Sequence, residues 1–123
     1  MKILESAENY LETILILGKT APVRATDVAK DLSFTRASVS VAMKNLRDNG
    51  FVEVDEQGVI TLTVKGKKIA EAVFERHTII SNWLLNLGVS RKTAMEDACK
   101  IEHILSDESF EAIKSYIKEY EKF

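Results

Sequence analysis

Cys99, Glu102 and His103 fall in one short run, Cys-Lys-Ile-Glu-His, which holds the only cysteine and one of the two histidines of the chain. On a helix these three positions share a face, one turn apart. A thiolate, a carboxylate and an imidazole then converge. Soft sulfur, borderline nitrogen and hard oxygen form a donor set suited to a transition metal. Each residue taken singly has a plainer reading. A lone cysteine is often a small buried core residue. Glu102 and His103 alone would fit a solvated helix surface.

The elements before this run read as a DNA reader. Residues 6 to 17 are expected to be helical, with Ser6 as N-cap and Ala7, Leu11, Ile14, Leu15 and Leu17 on the helical period. Gly18 closes that helix, and a connection containing Pro22 follows. Residues 24 to 32 form a short helix with Val28, Ala29 and Leu32 inward. Ser33-Phe34 turns the chain, and Thr35 caps a second helix reaching about Asn49, buried through Val39, Met43 and Leu46. Arg36, Ala37, Ser40, Val41, Lys44 and Arg47 lie on its other faces. Two short helices joined by a turn, the second basic and small-residued at its start, match a helix-turn-helix. The candidate DNA-contacting residues are Thr35, Arg36, Ala37, Ser38, Ser40, Lys44 and Arg47.

After Gly50 the apolar period changes to two. Phe51–Val54 and Val59–Leu62 read as strands around a turn at 55–58, which makes the reader a winged helix. The wing carries Glu53, Asp55 and Glu56 and no base. Like charge repels the phosphate backbone, so phosphate contact is expected from the second helix and from Lys65, Lys67 and Lys68.

Residues 64 to 86 are expected to form a long helix ended by Gly88. Its inward stripe is Ile69, Val73, His77, Ile80, Leu84 and Leu87. Ser90 begins a helix to about Leu105, and Ser106 or Asp107 begins the last one. The fold class is mainly α, with a winged helix-turn-helix at 1–63 and a helical dimerisation and metal-binding region at 64–123. The second region has too little chain to bury its own apolar surface. Trp83, Leu84, Leu85, Phe110, Ile113, Tyr116, Ile117 and Tyr120 are candidates for a homodimer interface.

Composition narrows the class further. The 123 residues are 46% hydrophobic and 29% charged, ordinary for a globular protein. No stretch approaches a membrane span, and the N-terminus lacks the features of a signal peptide. A single cysteine fits a reducing cytoplasm. The net charge of −2 argues against a broadly basic nucleic-acid binder. Between Thr35 and Arg47, however, there are three bases and no acid, so DNA binding is expected on one face.

Three local runs carry a family resemblance across essentially the whole chain: Asp97-Ala-Cys99-Lys-Ile-Glu102-His103-Ile-Leu-Ser-Asp107, Leu62-Thr-Val-Lys-Gly66, and Glu8-Asn9-Tyr10-Leu11-Glu12-Thr-Ile14. The order and these motifs resemble the diphtheria toxin repressor family of metal-dependent repressors, including the manganese-transport regulators. The family's third, small β-barrel domain has no counterpart in this sequence, as in the shorter two-domain manganese-type members. The resemblance implies an inactive-to-active switch by a divalent metal acting as corepressor. One ion held by groups ahead of and behind the reader would order both readers of a homodimer on a pseudopalindromic operator.

Carried over residue by residue, the implied ligands are Cys99, Glu102 and His103, with His77 on the long helix and Glu12 near the N-terminus. Asn9 stands where iron-type members have methionine and manganese-type members aspartate. Ser81 and Met95 replace side chains of an ancillary iron-type site. Cys99 is an iron-type feature, while Glu12 and the short chain are manganese-type. The thiolate favours Fe²⁺ as corepressor, with Mn²⁺ next. Two other readings stay open on sequence alone. One is a metal-independent winged-helix regulator answering to a small ligand or to Cys99 oxidation. The other is a non-haem metalloenzyme, for which no nucleophile or cofactor motif speaks.

Overall fold

The computed structural model describes residues 5–120. Its elements are α1 (Glu5–Leu17), α2 (Ala25–Leu32), α3 (Arg36–Asp48), β1 (Val52–Val54), β2 (Ile60–Leu62), α4 (Val64–Asn86), α5 (Arg91–Ile104) and α6 (Asp107–Tyr120). They belong to two compact units, one ending at Glu71 and the other starting at Ala72. Among the described residues, no helix is long and apolar enough to cross a membrane.

The first unit is built on caps and turns that its polar residues supply. Ser6, expected as the cap of α1, lies inside the helix, which is already under way at Glu5. Arg24 takes extended backbone ahead of α2, and its N–H donates to Asp27 Oδ2 at 2.9 Å. Ser33 then adopts the left-handed conformation, φ 58°. That conformation costs a non-glycine residue roughly 1 kcal/mol. In return the Phe34 N–H reaches Ala29 O at 3.0 Å and α2 ends cleanly. Thr35 Oγ1 accepts from the Ser38 N–H at 3.1 Å and donates to Ser38 Oγ at 2.8 Å. This N-cap starts α3 at Arg36.

Val39, Met43 and Leu46 of α3 join Leu11, Val28 and Val52 in the core of this unit, as their spacing predicts. The wing is an antiparallel pair with Val52 opposite Leu62 and Val54 opposite Ile60. One of its three acids has a structural role. Asp55 Oδ1 accepts from the N–H groups of Gln57 and Val59, at 2.8 and 2.9 Å, and so forms the turn. Gly58 closes it at φ 81°. Arg24 Nε donates to Gln57 O at 3.1 Å, which pins the wing tip to the start of α2.

The start of α4 is set by close backbone approach. Thr63 Oγ1 donates to Gly50 O at 2.7 Å and accepts from the Gly66 N–H at 3.1 Å. Gly66 is buried against the Phe51 main chain, where a Cβ would lie 2.0 Å from Phe51 O. Lys65, expected to reach phosphate, instead serves the fold. Its ammonium lies 4.4 Å from the Phe51 ring centroid and donates to Asn49 O at 3.2 Å.

In the second unit, Ile80, Ala98 and Phe110 form the core, with Ile79, Leu84, Ile101 and Leu105 against it. Phe110 and Ile117, expected at a dimer interface, are 3% and 1% exposed and pack within the chain. The α6 spacing puts them on the inward side, whereas Tyr116 and Tyr120 remain exposed, their ring centroids 4.6 Å apart in a tilted pair. Leu87, expected in the inward stripe, is also exposed. It lies past the end of α4, where Gly88 at φ 95° redirects the chain. Ser90 and Ser106 cap the next two helices by accepting from the N–H groups of Thr93 and Ser109.

Gly66 gives a direct test of the packing. Gly66→Ala is expected to destabilise the chain by about 2 kcal/mol or more, because backbone rather than a movable side chain must give way. Chemical denaturation of the two proteins measures the difference. An equal midpoint would refute the close approach.

Candidate functional site

The Cys99, Glu102 and His103 side chains come together on α5 as the helical spacing requires. One donor atom from each lies within 4.8 Å of the others. Cys99 is exposed, the Glu102 side chain is fully buried, and the His103 side chain is 2% exposed. The trio occupies the last turns of α5, where the helix dipole is negative and favours a cation.

His77 on α4 reaches the same carboxylate. Its Nδ1 and Glu102 Oε2 are 2.9 Å apart. With Nδ1 protonated the imidazole donates to the carboxylate, and Nε2 becomes the basic nitrogen of the ring. A carboxylate that orients an imidazole through one ring nitrogen is the usual support of a metal-binding histidine. The other oxygen, Glu102 Oε1, is buried and has no hydrogen-bond donor. His103 Nε2 lies 3.4 Å from it, near enough for charge but not aligned to donate. A buried carboxylate oxygen left in this state costs on the order of 1–3 kcal/mol, and more when ionised. A cation placed there would satisfy it.

Arg76 fixes residue 102 from the main-chain side. Its Nη1 donates to Glu102 O at 3.1 Å and to Leu105 O at 2.7 Å, and its Nη2 pairs with Asp107. The guanidinium also lies 5.0 Å from the Phe110 ring centroid. Adjacent residues Arg76 and His77 thus hold the backbone and the carboxylate of Glu102 respectively. Sequence reasoning missed Arg76. The available signal was a base inside an otherwise apolar helix stripe, next to the histidine already singled out. Ser81 is buried and donates to Thr78 O, and Met95 is exposed. Asn9 and Glu12 are half-buried on α1, in the first unit.

The DNA-facing candidates form a coherent surface of that unit. Arg36, Ala37, Ser40, Lys44 and Arg47 are all exposed on α3, while Thr35 and Ser38 are engaged in its N-cap. Ser40, Lys44 and Arg47 line an open cleft of about 200 Å³ between α3 and the wing. A larger groove of about 540 Å³, lined by Ile14, Pro22 and Leu62 among others, contains no residue of α3. Its lining is mainly apolar, with Lys19 and Lys67 as the charged residues. Val41, out of register with the buried stripe, is 63% exposed on α3.

A winged helix with a basic recognition surface and a separate helical unit with clustered metal donors define a class, the metal-responsive transcriptional regulators. Residues 2–59 match the family model of the iron-dependent repressor N-terminal DNA-binding domain. Residues 63–122 match that of the iron-dependent repressor metal-binding and dimerisation domain. The chain belongs to the iron-dependent repressor family, whose members are transcriptional regulators and not enzymes.

Relatives agree with this assignment. An uncharacterized HTH-type transcriptional regulator of Methanocaldococcus jannaschii is 37% identical over 119 residues, covering 94% of this chain and 95% of its own. The transcriptional regulator MntR of Escherichia coli O157:H7 is 32% identical over 94% of this chain and 76% of its own. A manganese-dependent transcriptional repressor in complex with manganese superposes with a TM-score of 0.82 at 25% identity. That match covers 91% of this chain, which spans about half, 52%, of the solved repressor.

Arg76 generates a prediction of its own. Arg76→Met removes two hydrogen bonds to main-chain carbonyls and is expected to destabilise the chain by about 2 kcal/mol. Thermal denaturation beside Arg76→Lys checks it. A lysine that restores full stability would show that the forked geometry is unimportant.

Proposed function

We propose that this protein is a metal-activated repressor in which a divalent cation, held through Cys99, Glu102, His103 and His77, promotes operator binding by a homodimer in the cytoplasm. Residues 1–63 act as the reader, and residues 64–123 hold the metal and form the dimer. The observation that carries the reading is Glu102 Oε1, a buried carboxylate oxygen without a donor, beside a thiol and an imidazole. Those donors fit a transition metal. Following the family resemblance, the reading extends the ligand set to Glu12 and Asn9.

The corepressor is Fe²⁺, with Mn²⁺ as the second reading. The Cys99 thiolate supports iron, because sulfur suits softer and later metals than manganese. The manganese-bound relative and the carboxylate of Glu12 support Mn²⁺. When bound, the cation supplies concentrated positive charge to donors that otherwise repel or protonate. The residues of this chain do the rest. Glu102 orients His77, Arg76 holds residue 102, and Arg36, Lys44 and Arg47 meet DNA with Thr35, Ala37, Ser38 and Ser40 at the start of α3. Two such helices in a dimer read half-sites about 34 Å apart on a pseudopalindrome.

Metal acts only to the extent that it binds the DNA-competent state better. Operator DNA must then tighten metal binding by the same factor. Equal metal affinity with and without operator would refute the coupling.

The decisive experiment is an anaerobic DNA-binding titration over buffered Fe²⁺, Mn²⁺ and Zn²⁺, with metal counted per protomer. Fe²⁺ is expected to drive binding. Activation by Mn²⁺ but not by Fe²⁺ at matched free metal overturns the iron assignment. Undiminished DNA binding in chelator overturns metal control and favours the regulator that answers to another signal. Cys99→Ala and His103→Ala are each expected to weaken metal binding at least tenfold. Both should lose metal-dependent DNA binding with the dimer intact by sedimentation. A fully metal-responsive Cys99→Ala protein would move the switch elsewhere.

A further inference from the structure

Val41 takes no part in the apolar core. It is 63% exposed on α3, although the same helix buries Val39, Met43 and Leu46. At about 100° per residue, Val41 points ~165° away from the centre of that buried stripe. It therefore stands at the middle of the outward face. A β-branched residue there loses rotamer freedom, and a lysine, arginine or glutamine would be the better helix former. Neither packing nor helix propensity selects valine.

The surroundings of Val41 let it reach a flat partner. Its neighbours one turn earlier are Ala37 and Ser38, and Ser40 precedes it, so no longer side chain on that side stands above it. The Thr35–Ser38 cap holds the first turn in place. The long cations Lys44 and Arg47 follow toward the C-terminal end, where they line the cleft beside the wing. This gives an apolar tip in the first half of the helix and charges behind it. In a recognition helix, the first half meets base edges and flanking cations meet phosphates.

We propose that Val41 reads the C5 methyl group of a thymine in the major groove, so that this helix recognises one base by an apolar contact rather than by a hydrogen bond. The proposal rests on the reading of α3 as the DNA-recognition helix. Of the four bases, thymine alone presents an apolar group in that groove. Valine has neither donor nor acceptor, so it cannot read N7, O6 or an exocyclic amine. The same contact would accept 5-methylcytosine, which carries its methyl on the corresponding ring carbon.

The test uses the full chain loaded with Mn²⁺ and, anaerobically, with Fe²⁺. Duplexes are enriched from a random-sequence pool, and each thymine of the preferred duplex is replaced in turn by deoxyuridine, which removes only the methyl. One thymine per half-site is expected to lose about fourfold in affinity, and about fifteenfold when both half-sites are changed, from ~0.8 kcal/mol per buried methyl group. At that position 5-methylcytosine should bind about fourfold better than cytosine. Val41→Ser, which changes an exposed site and leaves the core intact, should bind thymine and deoxyuridine duplexes equally.

A preferred duplex indifferent to deoxyuridine at every position overturns the proposal. So does a Val41→Ser protein that keeps the full thymine preference. Failure to enrich any duplex under either metal is a different result. It overturns the reading of α3 as a recognition helix, and this proposal with it.

Discussion

Glu102 carries a carboxylate to a place that water does not reach, and much of the second unit is arranged around it. Isolated charge is expensive in such surroundings, and the expense is met only by hydrogen bonds or opposite charge. One oxygen has the His77 imidazole and the other has no donor. Arg76 grips the main chain of the same residue and ties it to the start of α6. The helices of this unit therefore share a polar anchor beside an apolar core of Ile80, Ala98 and Phe110. An anchor of this kind is weak evidence for stability and better evidence for a role, since an apolar residue of similar volume would fold more cheaply.

The first unit solves a different problem. A recognition helix must expose its functional face and still be held rigidly, so its positioning falls to the residues at its ends and on its back. Ser33 accepts a left-handed backbone, Thr35 and Ser38 close the N-terminus, and Asp55 folds the wing tip. The acids of the wing looked unfavourable for DNA binding when counted as charge. In the fold, Asp55 is a turn-forming residue whose oxygen is occupied by two main-chain N–H groups. Lys65 shows the reverse, a cation that looked available for phosphate and is engaged at Phe51 and Asn49.

These cases separate what periodicity and motif can reveal from what they cannot. The helices, the two-residue period of the wing and the buried stripe of α3 were legible because each follows from local repetition of apolar residues. Cys99, Glu102 and His103 were legible for the same reason, since their spacing alone puts them on one face. Phe110, Ile117 and Leu87 were misassigned. An apolar residue on a helix is free to face its own chain, a partner or solvent, and the choice depends on where the helix ends and what lies against it. Arg76 escaped notice because its partners are the carbonyls of Glu102 and Leu105, which carry no side-chain signature in sequence.

The sequence by itself determined the class of fold, the α5 donor trio and the basic face of α3, because each is set by residues within a few positions of one another. Only the tertiary structure decided that Glu102 is buried with one oxygen lacking a donor, that His77 supports its other oxygen, and that Arg76 holds its backbone. Those facts depend on α4, α5 and α6 meeting across 25 residues and more of chain, and burial is a property of that meeting rather than of any segment. Val41 lies between the two: helical spacing already set it off the buried stripe of α3, and the tertiary structure decided that it stays 63% exposed.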